Sequence, residues 1–75
     1  IGEEYDLITA NIVADVLIAM REIFRKKIKD GGILIISGII DERKDEVVDA
    51  VVSAGFKVLK SAEGEGWAAV KLMAI

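Results

Sequence analysis

The chain has 75 residues, 53% of them hydrophobic, with a mean hydropathy of +0.46 and a formal charge of −3 from 13 acidic and 10 basic side chains. Cysteine and histidine are both absent, which excludes disulfides, Cys or His metal sites, cysteine nucleophiles and histidine acid–base chemistry. The near-balanced, dispersed charges leave no electrostatic footprint for nucleic acid or an anionic membrane.

A domain this short buries only about 60% of its unfolded surface. So apolar a composition therefore implies a sheet buried on both faces, or a surface that meets further sequence. No Met stands at the start, and only Ile1-Gly2-Glu3-Glu4 precedes the first apolar run. Residues 1–75 read as one piece of a larger domain. No apolar run approaches the roughly 18 residues that span a bilayer, and no signal-peptide pattern is present. These features suit a cytoplasmic protein.

Tyr5 to Ala10 reads as the first strand, with Asn11 at its carboxyl end. Leu7-Ile8-Thr9-Ala10 and Ile33-Leu34-Ile35-Ile36 lack period-2 alternation, the pattern of parallel strands covered on both faces by helices. Between them Val13, Val16, Leu17, Met20, Phe24 and Ile28 recur at helical spacing. Asp15 in the first turn and Arg25, Lys26, Lys27 and Lys29 at the last complement the macrodipole, and Gly31-Gly32 supplies the stop. Strand, helix and strand form a crossover that should be right-handed. A second helix is predicted from Glu42 to Ala54, with Asp41 as N-cap and Val47, Val48, Val51 and Val52 as its apolar stripe. Four valines lower its propensity, so packing must hold it. Gly55 suits the C′ position, and Phe56 to Ser61 and Trp67 to Ala74 flank a glycine-bearing hairpin connection. The order is βαβαββ, an α/β class with a parallel pair followed by an antiparallel pair.

Ligands of open α/β sheets collect beyond the carboxyl ends of strands. Asn11 falls there, and its amide donates and accepts hydrogen bonds without charge. Position alone leaves two readings, a site group or a cap for the following helix. Asp15 either faces the same cleft or only favours the first helical turn. Ser37-Gly38 ends the second strand, where glycine serves a turn or lets backbone approach a ligand. The basic cluster reads as a solvated helix end rather than an RNA contact, and Trp67 as cover for one end of the sheet.

This βαβαββ order resembles the second half of a class I S-adenosylmethionine-dependent methyltransferase, a doubly wound Rossmann-like fold with strand order 3-2-1-4-5-7-6 and an antiparallel seventh strand. The four strands here correspond to its fourth to seventh. Several segments resemble the family that methylates the eleventh protein of the large ribosomal subunit. They are Tyr5-Asp6-Leu7-Ile8-Thr9-Ala10-Asn11-Ile12, Ala14-Asp15-Val16-Leu17, Gly31-Gly32, Ser37-Gly38-Ile39, Ala54-Gly55-Phe56 and Glu65-Gly66-Trp67. The likeness covers essentially the whole chain. Asp30 departs from it, since many members carry proline there.

The resemblance implies methyl transfer from S-adenosylmethionine to lysine and N-terminal amines of a ribosomal protein. It places Ala10 and Asn11 against the cofactor, with Asn11 positioning the amine, and it calls for no metal, direct nucleic-acid contact or membrane. The family's glycine-rich cofactor loop and the acidic residue after its second strand are not within these residues. The chain alone is therefore expected to bind the cofactor weakly or not at all, to be inactive, and to self-associate through its first strand. The competing readings are a small-molecule methyltransferase of the same class and a non-catalytic α/β interaction module.

Overall fold

In the computed structural model, which describes residues 4–75, β1 (Tyr5–Ala10) and β2 (Ile28–Ile40) pair in parallel, with Leu7 opposite Ile33 and Ala10 opposite Ile36. Ile1 to Glu3, most of the short lead into the first strand, lie outside the described residues. Helix α1 (Ala14–Lys27) joins the two strands. A 3-10 turn at Asp41–Arg43 leads into α2 (Lys44–Ser53), and β3 (Phe56–Glu63) and β4 (Trp67–Ala74) close as a hairpin. The fourth strand inserts between its predecessors, giving the sheet order β1-β2-β4-β3 with β4 antiparallel to both neighbours. The predicted βαβαββ order and the pairing senses are all found.

Alternation along the strands sorts their side chains into two faces. Leu34, Ile36 and Ile39 of β2 and Val70, Leu72 and Ala74 of β4 join Phe56, Leu17 of α1, and Val47 and Val51 of α2 in one buried cluster. Both helices thus lie on one face, against the expectation of a sheet covered on both. The steps from β1 to β2 and from β2 to β3 run in the same direction across the sheet, and crossovers of one hand then place their helices on the same side. The missing alternation in Ile33-Leu34-Ile35-Ile36 marks a second apolar face. There Ile33, Ile35, Ala69 and Met73 are only half-buried.

Three local expectations are corrected. Helix α1 stops at Lys27 without a glycine cap, because Ile28 is already extended, at φ −101° and ψ 143°, with its N–H bonded to the Phe24 carbonyl. Ile28 is buried as the first residue of β2 and not as the last of the helical stripe. Gly31-Gly32 instead forms an irregularity in the β1–β2 register between the Tyr5–Ile28 and Leu7–Ile33 pairs. Asp41 does not cap α2, whose N-cap is Arg43 with no side-chain capping bond. The Asp41 N–H instead bonds the Gly66 carbonyl at 3.2 Å, tying the end of β2 to the hairpin turn. Gly55 follows the α2 C-cap Ala54 at φ +117°, as predicted.

The hairpin connection is tighter than predicted, with β3 running to Glu63 and the Gly64 N–H bonded to the Trp67 carbonyl at 2.8 Å. Gly66 takes the left-handed position of such a three-residue loop, at φ +81°. Trp67 is 46% exposed and does not cover the core. Its indole packs on Gly64, where an added Cβ would lie 2.4 Å from Nε1. In the basic cluster, Arg25 is not simply solvated: Nη2 donates to Asp30 Oδ1 and to the Ile75 carbonyl, each at 2.6 Å.

Phe56 is the largest side chain of the core and fully buried at the start of β3. Phe56→Ala should cost about 3–5 kcal/mol, a large share of the stability of so small a domain. Urea denaturation checks this; an unchanged midpoint would remove Phe56 from the core.

Candidate functional site

Parallel pairing brings the carboxyl ends of β1 and β2 side by side. Ala10, the buried last residue of β1, sits opposite Ile36, so Asn11 emerges beside Ser37 and Gly38. On its other edge β2 carries a bulge against β4, since the register passes from Ile36–Val70 to Ile39–Ala68. Such a bulge bends the strand and re-aims what it carries, and Gly38 lies in it at φ +78°. A Cβ built on Gly38 would stand 2.6 Å from Asn11 Oδ1 and 3.7 Å from its Cγ. The Asn11 carboxamide therefore lies over the Gly38 backbone, bridging the two strand ends.

The capping alternative for Asn11 does not hold. Helix α1 begins at Ala14, and its N-cap is Val13, which makes no side-chain bond. Asn11 lies two residues before that position and is exposed. The first residue past β1 is thus a solvent-facing amide seated on neighbouring backbone.

Asp15 does not serve the cleft as a free carboxylate, because Arg43 Nη2 donates to its Oδ1 at 2.7 Å. Arg43 Nε donates to Glu46 Oε1, also at 2.7 Å. The hydrogen bonds to Glu46 and Asp15 raise the Arg43 pKa above its ordinary value, and the bond from Arg43 lowers that of Glu46. Arg43 thus ties the start of α1 to the start of α2, the two segments that leave the paired strand ends. Sequence reasoning missed this link. Its one signal was Arg43-Lys44 at a helix start, where the macrodipole disfavours cations unless acids hold them. Lys44 likewise donates to Glu63 at 2.8 Å, which raises its pKa.

Among the described residues, grooves mark the surface elsewhere. One of about 440 Å³ lies between α2 and β3 beside Asp49, Val58 and Ser61. A second, about 380 Å³, lies between β1 and α1 beside Leu7, Met20, Ile23 and Phe24. The third, about 220 Å³, opens on the uncovered sheet face beside Ile35, Ala69 and Lys71. Asn11 and Gly38 line none of them. The strand-end junction presents Asn11, an exposed and uncharged amide, beside Ser37 and Gly38.

Comparison with known proteins adds an independent line. The sequence profile of the family described as ribosomal protein L11 methyltransferase (PrmA) matches residues 1–74. The chain is 47% identical over 58 residues to a ribosomal protein L11 methyltransferase of Agathobacter rectalis, covering 77% of this chain and 18% of the relative. It is 45% identical over 67 residues to one from an Exiguobacterium species, covering 89% of this chain and 22% of the relative. The chain thus spans about a fifth of the length of the curated relatives it matches. Among solved structures, a ribosomal protein L11 methylase from Lactobacillus delbrueckii subsp. bulgaricus superposes with TM-score 0.91 at 22% identity, over 99% of this chain and 38% of that one. The M1.HpyAVI–SAM complex superposes with TM-score 0.79 at 11% identity, over 97% and 46%. At such identities these structures establish the shared fold.

Because Asn11 caps no helix, Asn11→Ala should shift the stability of the chain by less than about 0.5 kcal/mol, against about 1 kcal/mol for loss of a working N-cap. Thermal or urea unfolding of the two proteins side by side measures the difference.

Proposed function

The chain belongs to the ribosomal protein L11 methyltransferase family, and from that premise we propose that residues 1–75 form the carboxyl-terminal half of a catalytic domain that methylates lysine and N-terminal amines of a ribosomal protein in the cytoplasm. The single observation that carries the reading is the Asn11 carboxamide seated across the ends of the two parallel strands. The donor would be S-adenosylmethionine, which supplies an electrophilic methyl group on a sulfonium. Ala10 and Asn11 would hold one side of it. The fit rests on an exposed, uncharged amide next to the buried end of β1.

An amine attacks only when neutral, with its lone pair aimed at the methyl carbon. Much of the acceleration of such a transfer comes from orientation in a dry site. The Asn11 oxygen and the backbone carbonyls of Ala10 and Asn11 accept N–H bonds from the amine and turn its lone pair forward. An amide has no useful pKa, so Asn11 positions the nucleophile and takes no proton. As the new C–N bond formed, the methyl–sulfur bond would break and leave its electron pair on sulfur as a neutral thioether. The proton from the methylated ammonium would pass to solvent.

Two features support an incomplete site and an open sheet. The described residues give one polar wall at the junction. The sheet's two edges also differ in their protection. Strand β3 carries Lys57, Lys60 and a register shift between Val58 and Lys60, devices that discourage pairing. Strand β1 has no lysine or proline, and its Leu7 is 54% exposed. The proposal therefore includes self-association of the isolated chain through β1.

Three measurements test this reading. In the complete protein that contains these residues, Asn11→Ala should lower kcat on the ribosomal protein about tenfold or more, the effect of losing one positioning hydrogen bond. Titration calorimetry on the 75-residue chain alone should show no micromolar affinity for S-adenosylmethionine; clear binding would overturn the division of the site. Sedimentation of the isolated chain should show dimers or larger species at high concentration, shifted toward monomer by Leu7→Lys. A strictly monomeric wild-type chain would remove the open-edge argument.

A further inference from the structure

Left-handed backbone alone explains some of the glycines in this chain, but not Gly38. Gly31, Gly38 and Gly66 share nearly one left-handed φ, at +83°, +78° and +81°. At Gly31 and Gly66 an added Cβ would meet nothing within 4 Å. At Gly38 it would land 2.6 Å from Asn11 Oδ1, a separation that Cβ atoms essentially never show, and the only other atom nearby is Asn11 Cγ. Asparagine and aspartate tolerate the left-handed region, so backbone conformation would admit them at position 38. The space beside Asn11 admits either only if the Asn11 carboxamide moves.

We propose that Gly38 is a positioning residue for methyl transfer: its missing side chain is the seat that fixes the orientation of the Asn11 carboxamide. The inference rests on the role given to Asn11 under Proposed function. Gly38 is held between ladder pairs, Ile36–Val70 before it and Ile39–Ala68 after it, whereas Asn11 Oδ1 ends a side chain with two free torsions. A methyl group at position 38 therefore turns the carboxamide away and leaves the strand in place. The seat also sets which end of the amide faces where. The Gly38 Cα–H groups are weak donors that suit an oxygen and not an amide N–H₂. The Asn11 nitrogen lies beyond 4 Å of the same point. The oxygen keeps a second lone pair for the incoming amine, and the N–H₂ group faces away from Gly38 as a donor.

The test compares Gly38→Ala with Gly31→Ala and Gly66→Ala, which place a side chain on the same left-handed φ without touching Asn11. In the isolated chain, Gly38→Ala should move the Asn11 side-chain amide resonances in a ¹⁵N–¹H spectrum, and the two control variants should not. In the complete protein, Gly38→Ala should lower kcat about as far as Asn11→Ala with KM for the ribosomal protein less affected. The Asn11→Ala, Gly38→Ala double variant should be no slower than Asn11→Ala alone. Gly38→Asn, better suited to the backbone but still carrying a Cβ, should lose kcat like Gly38→Ala, which covers the case of an alanine variant that folds poorly. The seat is overturned if Gly38→Asn keeps wild-type kcat, if Gly38→Ala loses no more than Gly66→Ala, or if the double variant loses the product of the single effects. If Asn11→Ala itself keeps full kcat, the role of Asn11 fails and the seat loses its function with it. Movement of the Asn11 resonances in Gly38→Ala would then show that the geometry was right and the chemistry wrong.

Discussion

The parallel register between β1 and β2 is the constraint on which the rest of the chain depends. Parallel strands must be joined by a crossover, and here that crossover is α1, which supplies Leu17 to the core. The same register fixes Ala10 opposite Ile36, and so fixes which residues meet beyond the strand ends. Slipping the pairing by one residue would send Leu34 and Ile36 to the uncovered face and Ile33 and Ile35 to the helices. Burial of Leu34 and Ile36 at 0% exposure makes that slip costly. The core thereby holds the Asn11–Gly38 junction in place, although neither residue belongs to it.

On its other side β2 pairs antiparallel with β4, and the two partners make different demands on it. Against β1 it keeps an even parallel ladder from Ile33 to Ile36; against β4 it must absorb a bulge between Ile36 and Ile39. The bulge falls just past the last β1 pair, where β1 has already turned away into Asn11. A distortion needed for one partner is thus placed where the other partner no longer constrains the strand. Beyond it, Arg43 joins Asp15 to Glu46. Exposed ion pairs of this kind add little stability singly. Their consequence is geometric, since they hold together the two segments that leave the junction.

The architecture was legible because its signals are periodic and mutually consistent. The helical recurrence through Leu17, Met20 and Phe24, the glycine after Ala54 and the glycine-bearing connection before Trp67 each point to a single solution. Misreadings arose where one residue serves two elements. Ile28 continues the helical spacing of α1 and yet is extended, as the first, buried residue of β2. Asp41 has the chemistry of a cap, but its backbone N–H is taken by Gly66, from the far hairpin. At the site, position and family likeness singled out Asn11, and the sequence flagged Gly38 without linking the two. Their contact spans 27 positions through the parallel register, and no local pattern encodes it. The Asp15–Arg43 pair was hidden for the same reason.

The two faces of the sheet explain why a chain so apolar is so small. One face is closed by α1 and α2, and the other presents Ile33, Ile35, Ala69 and Met73 with no helix among the described residues above them. An apolar face of this kind, like the groove beside Leu7 and Phe24 along β1, is composed for burial. Both lie on the same continuous sheet as the Asn11 junction. On the proposed reading, a cover for that face or a strand added at that edge would complete the fold and the site together. A positioning amide gains its value only when water is excluded around it. On the proposed reading, Gly38 and the register of β2 hold Asn11 ready for that step.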